Sequence, residues 1–378
     1  MKGEQLSLPA VYMRGGTSRA LFFRREDLPP APTPHDNFEW NAIFCASIGA
    51  PDPNGRQLDG VGGGVSSLSK VAVIGRSTRP DADVDYTFAQ VAIKELVVGY
   101  RGNCGNISSA VGPFAVDEGL AAAEGEAACV RIHNTNTGKI IEARFPLVGG
   151  KAAVDGDMTL DGVAGTGAPI RLAFLDPGGA ATGRLLPTGA ALDRLDCGLA
   201  GILDASLVDA ANPTVFVAAR SLGLSGREAP QKLEADRAML ERFEAIRTAA
   251  ARAMGLAATD EELVKLKNLP LVSLVYATRE DERADVGTLM ISSGQPHRAT
   301  PLTGAMCLAI AAKIEGSIVA RELKRGATSN SALRVAHPSG VVAVDGTMEN
   351  GRAVEAIVFR TARRLMDGRV YFRRSAVA

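Results

Sequence analysis

The sequence predicts an α+β protein of two similar lobes, each a strand layer wrapped around a central apolar helix. Three observations carry that prediction. Short runs that alternate apolar and polar residues, bounded by Gly, Pro, Asn or Asp, dominate both halves of the chain, as half-buried antiparallel strands do. Each half also holds one helix-like stretch of small apolar residues that opens from a compact turn and ends in Glu-Gly (Glu118-Gly119 and Glu315-Gly316). Finally, 41 of the 378 residues are glycine, about 11% against a usual value of about 7%, while there is one Trp, five Tyr and twelve Phe. That composition does not suit an ordinary helical bundle.

Taken in order, the strand-like runs of the first half are 10–13, 21–24, 71–74, 84–91, 130–134, 140–145 and 170–174. Those of the second half are 214–217, 272–277, 288–291, 333–336, 341–345 and 353–361. Four stretches read as helices: 37–48, 106–120, 233–254 and 304–315. The third is amphipathic, with Leu240, Phe243, Ile246 and Ala250 on one face, whereas 106–120 and 304–315 are apolar all round and so predict buried helices. Arg101-Gly102-Asn103-Cys104-Gly105-Asn106 leads into one of these, and Ala299-Thr300-Pro301-Leu302-Thr303-Gly304 into the other. The Gly- and Pro-rich stretch 175–191 is the best hinge. Lobes of 1–186 and 187–378 follow, with the last strand a candidate to return to the first.

The bulk numbers exclude several function classes. Forty-two basic and 42 acidic side chains cancel, so neither a nucleic acid nor a membrane surface is an expected partner. No apolar region follows Met1–Gln5 and no uncharged run reaches the ~18 residues of a membrane span, so a cytoplasmic protein is expected. The five cysteines form no CxxC pair, which fits a reducing compartment, and four scattered His without HExxH give no metal site. GxGxxG fails at Val65 and no GK[ST] occurs, which removes NAD and ATP; no cofactor is expected.

What remains is chemistry that glycine permits. Gly15-Gly16, Gly60 with Gly62-Gly63-Gly64, Gly102–Asn106 and Gly178-Gly179 would let backbone amides approach an anion, with the hydroxyls of Thr17, Ser18, Ser66, Ser67 and Ser69 as further donors. Tight turns in a β-rich chain explain any one of these loops equally well. Cys104 stands between Asn and Gly before an apolar helix, where the dipole and free N–H groups favour a thiolate. Cys45, Cys129 and Cys307 read as structural. Lys70 precedes the apolar run Val71-Ala72-Val73-Ile74, and desolvation there suits a lysine base, although a snorkelling strand-edge lysine fits too. His297 and His337 lie in turn-rich contexts suited to carboxylates, or to plain surface roles.

Together these motifs resemble the PrpF family. The resemblance rests on Tyr12-Met13-Arg14-Gly15-Gly16-Thr17-Ser18-Arg19, Ser67-Leu68-Ser69-Lys70, Gly102-Asn103-Cys104-Gly105-Asn106 and Val111-Gly112-Pro113-Phe114-Ala115. Leu186-Pro187-Thr188-Gly189, Asn212-Pro213-Thr214, Thr303-Gly304-Ala305 and His337-Pro338-Ser339-Gly340 continue it, so it covers almost the whole chain. It implies the diaminopimelate-epimerase-like fold, with the active site in the cleft between the lobes. It also implies a cofactor-independent isomerase that moves a C=C bond in a small polycarboxylate such as 2-methylaconitate or 4-oxalomesaconate.

The family's catalytic Lys and Cys fall on Lys70 and Cys104. Thr17, Ser18, Ser67, Ser69, Asn103, His297, Thr303 and His337, with the amides of Gly105, Asn106, Gly304 and Ala305, are then the substrate-binding candidates. Two departures matter. Epimerases of this fold use a second cysteine in the second lobe, but the turn here reads Thr300-Pro301-Leu302-Thr303, and Cys307 lies further along the helix. Arg19 stands where many relatives carry Lys. A two-base epimerase or racemase, and a non-catalytic accessory protein of an aconitase-type enzyme, remain as rivals, and assembly as a homodimer is left open.

Overall fold

A computed structural model of the chain describes residues 4–30, 38–100, 104–179, 181–266, 269–292, 294–324, 326–327 and 332–376. The chain divides into two compact units, Met1–Leu172 with Phe359–Ala378, and Ala173–Val358. The sequence expectation drew the division at 186/187. In the structure it falls at 172/173, and the closing strand belongs to the first unit.

The first unit runs through β1 (Gln5–Gly15), β2 (Ser18–Arg24), α1 (Phe38–Ile48), β3 (Lys70–Arg76), β4 (Val84–Val91), α2 (Gly105–Asp117), β5 (Ala127–Asn134) and β6 (Lys139–Val148). The chain crosses to the second unit within β7 (Ile170–Leu175). There it continues as β8 (Ile202–Ala210), β9 (Asn212–Ala218), α3 (Arg237–Ala253), β10 (Leu271–Tyr276), β11 (Val286–Ser292), α4 (Leu302–Ala312), β12 (Leu333–His337) and β13 (Gly340–Glu349). It returns within β14 (Arg352–Arg360) and ends in β15 (Ala362–Arg373).

The two units share one pattern of pairing. In the first, β1–β2 is antiparallel, β2–β3 parallel, β3–β4 antiparallel, β4–β5 parallel and β5–β6 antiparallel. In the second, β8–β9, β9–β10, β10–β11, β11–β12 and β12–β13 repeat that sequence of orientations. A helix occupies each parallel crossover, as such a connection requires: α1 and α2 in one unit, α3 and α4 in the other. The pairing of α2 with α4 expected from their composition is therefore a pairing of topological equivalents.

Alternation along the strands separates two helix faces. Val71 and Val73 on β3, with Leu21, Phe23 and Ala89, pack against Trp40, Ile43 and Phe44 of α1. In the second unit Val272 and Leu274 meet Phe243, Ile246 and Ala250 of α3 in the same way. Because successive side chains point to opposite faces, Lys70, Ala72 and Ile74 lie on the other face of β3. This is the face of α2, where Phe22 meets Phe114 at 5.3 Å between ring centroids. α2 is buried from Gly105 to Val116 apart from Asn106. Gly112 lets it seat so deeply, since a Cβ there would stand 2.8 Å from the Phe145 ring.

Candidate active site

Cys104 is the N-cap of α2. Its side chain makes no capping bond, and the first intrahelical bond runs from Ser108 N to Cys104 O at 2.9 Å. The N–H groups of Gly105, Asn106 and Ile107 thus have no intrahelical partner, and they turn the positive end of the dipole toward the half-buried thiol. The β1–β2 hairpin is built onto this first turn. Its two-residue loop is Gly16-Thr17, with Gly16 at φ +52°. A Cβ on Gly15 would stand 2.4 Å from Asn106 O, and one on Gly16 2.2 Å from Asn106 Oδ1, so only glycine permits the approach. Asn106 Nδ2 donates to Thr17 Oγ1 at 3.1 Å. Arg14 Nη1 donates to Gly16 O, Thr361 O and Thr361 Oγ1, each at 3.0 Å, which ties the hairpin to the closing segment.

Lys70 opens β3 on the α2 face and is 8% exposed. It pairs with Ala20 on β2, two residues beyond the buried Ser18, and with Gln90 on β4. Its Nζ donates to Gln90 Oε1 and stands 5.2 Å from the centre of the Phe88 ring. The Gln90 amide is itself held, donating to Ser69 O at 2.9 Å and Ser66 O at 3.1 Å, so its oxygen is aimed at the ammonium. No carboxylate pairs with Lys70 among the described residues.

A second buried cation, Arg360 at 7% exposure, reaches this unit from the end of β14. Its Nε donates to Asn106 Oδ1 at 3.1 Å and its Nη1 to Phe359 O at 2.8 Å. Burial draws the guanidinium down to about 10, and the nearby Cys104 opposes that pull. Sequence reading did not single out Arg360. It lies 254 positions from Asn106 in a segment rich in arginine, and no local pattern marks one arginine there as buried. Tyr86, fully buried on the same sheet face as Lys70, also lies within electrostatic range of Cys104; desolvation raises its phenol well above the ordinary value.

Several expectations require correction. Ser69 is fully buried, with its hydroxyl 2.6 Å from Gln57 Oε1 and 2.9 Å from Val65 O, so it braces the loop and has no surface for a ligand. Gly60, Gly62 and Gly64 serve packing: a Cβ on Gly60 would fall 2.2 Å from Gly49 N, and one on Gly64 2.3 Å from Gly55 O. Gly60 and Gly62 seat the loop on the end of α1 and Gly64 packs on Gly55, while their three amides are spent on Gln57 O, Ile48 O and Gln57 Oε1. Ser67 sits half-buried in a single 3-10 turn, Ser66–Leu68, before Lys70. Asn103 lies outside the described residues.

The second unit is asymmetric with the first. Where Lys70 opens β3, Leu271 opens β10; where Cys104 caps α2, Pro301 caps α4. Leu271 approaches the first turn of α4, as a Cβ on Gly304 would show by meeting Leu271 Cδ1 at 2.9 Å. Ala305 N is spent on Pro301 O at 2.9 Å, so the amides free of intrahelical bonds are those of Leu302, Thr303 and Gly304, one position earlier than expected for Ala305. Thr303 Oγ1 accepts from Asn212 Nδ2 at 3.4 Å.

His297 is half-buried, its Nε2 is buried without a partner, and burial pushes the imidazole below its ordinary value. His337 Nδ1 accepts from Ser339 N at 3.2 Å inside the β12–β13 hairpin, and Ser339 Oγ in turn bonds Arg298 O, which joins the two histidine loops. Cys307 is fully buried, its Sγ 3.4 Å from Val208 O, and desolvation pushes the thiol up to about 12. A thiol so held stays protonated near neutral pH. Among the described residues no three His, Cys, Asp or Glu side chains are grouped as metal ligands, and no helix is long and apolar enough to cross a membrane.

Comparison with known proteins finds relatives along the whole chain. The chain is 40% identical over 381 residues to 3-methylitaconate isomerase of Eubacterium barkeri, covering 97% of this chain and 98% of that one. It is 40% identical over 367 residues to 4-oxalomesaconate tautomerase of Pseudomonas putida, covering 96% of each. The crystal structure of a methylitaconate-delta-isomerase superposes with a TM-score of 0.90 at 39% identity, over 100% of this chain and 98% of that one. A hydroxyproline epimerase from Agrobacterium vitis, at 13% identity and a TM-score of 0.53, shares the fold, which is α+β and diaminopimelate-epimerase-like. The profile of the PrpF protein family runs from residue 5 to residue 373, from the first strand to the last, and the chain belongs to that family.

Proposed function

We propose that this protein is a cofactor-independent isomerase that moves a C=C bond along a small unsaturated polycarboxylate by a 1,3-proton shift. The observation that carries the reading is Arg360, a buried cation at the N-terminus of α2 that Cys104 caps, together with Lys70, a second buried cation of the same unit, neither paired with a carboxylate among the described residues. Buried charges are ordinarily paired. Elsewhere in the chain Arg247 is paired with Glu244, Asp285 with Arg334 and Glu322 with Arg220. The buried carboxylate of Asp209 has no cation either, but two backbone N–H groups and the Thr182 hydroxyl hold it. Two buried cations without a carboxylate in the first unit fit a site whose counter-charge arrives with an anionic substrate.

The chemistry then needs a group to take a proton from the carbon next to the conjugated system and return one two carbons away. Removal of the first proton shifts the C=C pair into a dienolate; protonation at the far carbon fixes the bond in its new position, and composition is unchanged. Lys70 Nζ, with one N–H directed to Gln90 and the others unassigned, serves as the proton carrier. Cys104, at the positive end of α2, serves as the second acid/base group or steadies the charge of the intermediate. The free amides of Gly105, Asn106 and Ile107 suit carboxylate or enolate oxygen.

A two-base epimerase is disfavoured, because the second unit has Pro301 at the helix cap and its Cys307 thiol is buried and pushed up to about 12. The test is an ultraviolet absorbance panel with cis- and trans-aconitate, 2-methylaconitate and 4-oxalomesaconate, since isomerisation changes conjugation. One of these acids is expected to turn over, with Lys70→Ala and Cys104→Ala each lowering kcat about 10²–10⁴-fold. Full activity of Lys70→Ala would remove Lys70 as proton carrier. Deuterium uptake with inversion at one carbon, and no movement of the alkene signal in NMR, would favour the epimerase.

A further inference from the structure

Proton transfer accounts for Lys70 but leaves Arg360 unexplained. Two of its N–H groups are used, on Asn106 Oδ1 and Phe359 O, and it makes no other hydrogen bond or ion pair among the described residues. Arg247, buried to a similar degree, shows what a structural arginine looks like. Its fork grips both oxygens of Glu244 at 2.6 and 2.8 Å, and its Nη1 bonds two carbonyls, Leu266 O and Leu269 O. Taking a guanidinium out of water without a carboxylate partner is costly, and of the two buried arginines among the described residues only Arg360 carries that cost.

The surroundings of Arg360 are those of an anion subsite. It touches Asn106, the second residue of α2, a helix of 13 residues whose first three N–H groups have no intrahelical partner. Thr17 Oγ1 stands on the other side of the same Asn106 carboxamide. The carboxamide is thereby fixed, with its oxygen toward the arginine and its nitrogen toward the threonine. Behind it, Arg14 pins Thr361, the residue after Arg360, through both its carbonyl and its hydroxyl, so the arginine backbone is held as well. A planar guanidinium with three of its five N–H groups unspent is the side chain best matched to a carboxylate.

We infer that Arg360, with the first turn of α2, forms the subsite for one carboxylate of the substrate, Asn106 being the strut that aims the guanidinium. The identity of the acid rests on the isomerase reading above; the carboxylate subsite rests on Arg360 and α2. Two consequences follow from the same physics. Loss of the guanidinium weakens binding, and because an uncompensated buried charge is removed, it does not weaken the ligand-free fold.

The experiment is titration calorimetry on the full chain with trans-aconitate and, as a minimal probe, malonate, for wild type, Arg360→Met and Arg360→Lys. Thermal unfolding of each ligand-free protein accompanies it. Affinity for aconitate is expected to fall about 100-fold in Arg360→Met. In Arg360→Lys, which keeps the charge and loses the fork, it is expected to fall at least about tenfold. The unfolding temperature of Arg360→Met is expected to equal or exceed that of wild type.

Unchanged affinity in either variant overturns the inference, as does a lowered unfolding temperature with binding intact, the result for a merely structural arginine. Should Arg360→Met fail to fold, Arg360→Lys decides by the same affinity criterion. A wild type that binds neither acid also overturns the subsite. Binding of aconitate that depends on Arg360, with no substrate in the absorbance panel isomerised, leaves the subsite standing and removes only the isomerase reading.

Discussion

Replacing Gly16 by alanine tests whether the hairpin and α2 are one rigid device. The new Cβ would stand 2.2 Å from Asn106 Oδ1, 2.9 Å from Asn106 Cγ and 3.2 Å from Arg360 Cδ, at a backbone φ of +52°. The left-handed conformation costs alanine about 1 kcal/mol relative to glycine. The contact cannot be relieved at a flexible tip, because Asn106 is held from both ends, by Thr17 and by Arg360. Displacing it adds an overpacking cost of about 1–3 kcal/mol. The sum is about 2–4 kcal/mol, equivalent to a fall of about 5–15 °C in unfolding temperature for a unit of this size. Thermal unfolding followed by circular dichroism on wild type, Gly16→Ala, Asn106→Ala and the double variant separates the two causes. With the carboxamide gone, the steric part vanishes and only the backbone part remains, so the double variant is expected to recover about 1–3 kcal/mol. The reasoning fails if Gly16→Ala unfolds within a degree of wild type, or costs the same with and without Asn106.

Two further outcomes follow from the site and its counterpart. Iodoacetamide at pH 8 is expected to label Cys104 and the exposed Cys129. Cys45 and Cys307, buried and pushed up to about 11 and about 12, hold only about 10⁻³ and 10⁻⁴ of their thiol as thiolate; labelling of Cys307 at a comparable rate, read by peptide mass spectrometry, would contradict this. Burial holds His297 below its ordinary value of 6.5, so the folded state disfavours its proton. Its contribution to stability is therefore fully present above pH 6.5 and lost as pH falls through the depressed folded value. His297→Gln should flatten that part of the stability profile, and an unchanged slope in denaturant titrations between pH 7 and pH 5 would be against it.

Much of the architecture could be read from local sequence, because period-2 and period-3.6 patterns report directly on which faces are buried. The runs at 71–74 and 84–91 became the paired strands β3 and β4, and the four helix-like stretches correspond to α1, α2, α3 and α4. The turn chemistry around Cys104 likewise marks a helix start. Ile202–Ala210 escaped notice, since Asp, Ala and Ser have little preference for strands and only pairing with Asn212–Ala218 makes it one. Ala362–Arg373 escaped for a related reason: its charges suit an edge strand, and pairing along the whole of β1 draws it in.

By itself, then, the sequence determined the α+β class and the two helix starts, and it singled out Lys70 and Cys104 as candidates. Tertiary structure alone decided what surrounds them. It turned Ser69 and the glycines at 60, 62 and 64 into framework, placed Leu271 and Pro301 at the positions equivalent to Lys70 and Cys104, and delivered Arg360 to Asn106 across 254 positions. The physical reason is the range of the signal. Periodicity and turn residues describe a neighbourhood of a few residues, whereas a buried charge without a partner is defined by everything the rest of the chain fails to bring near it.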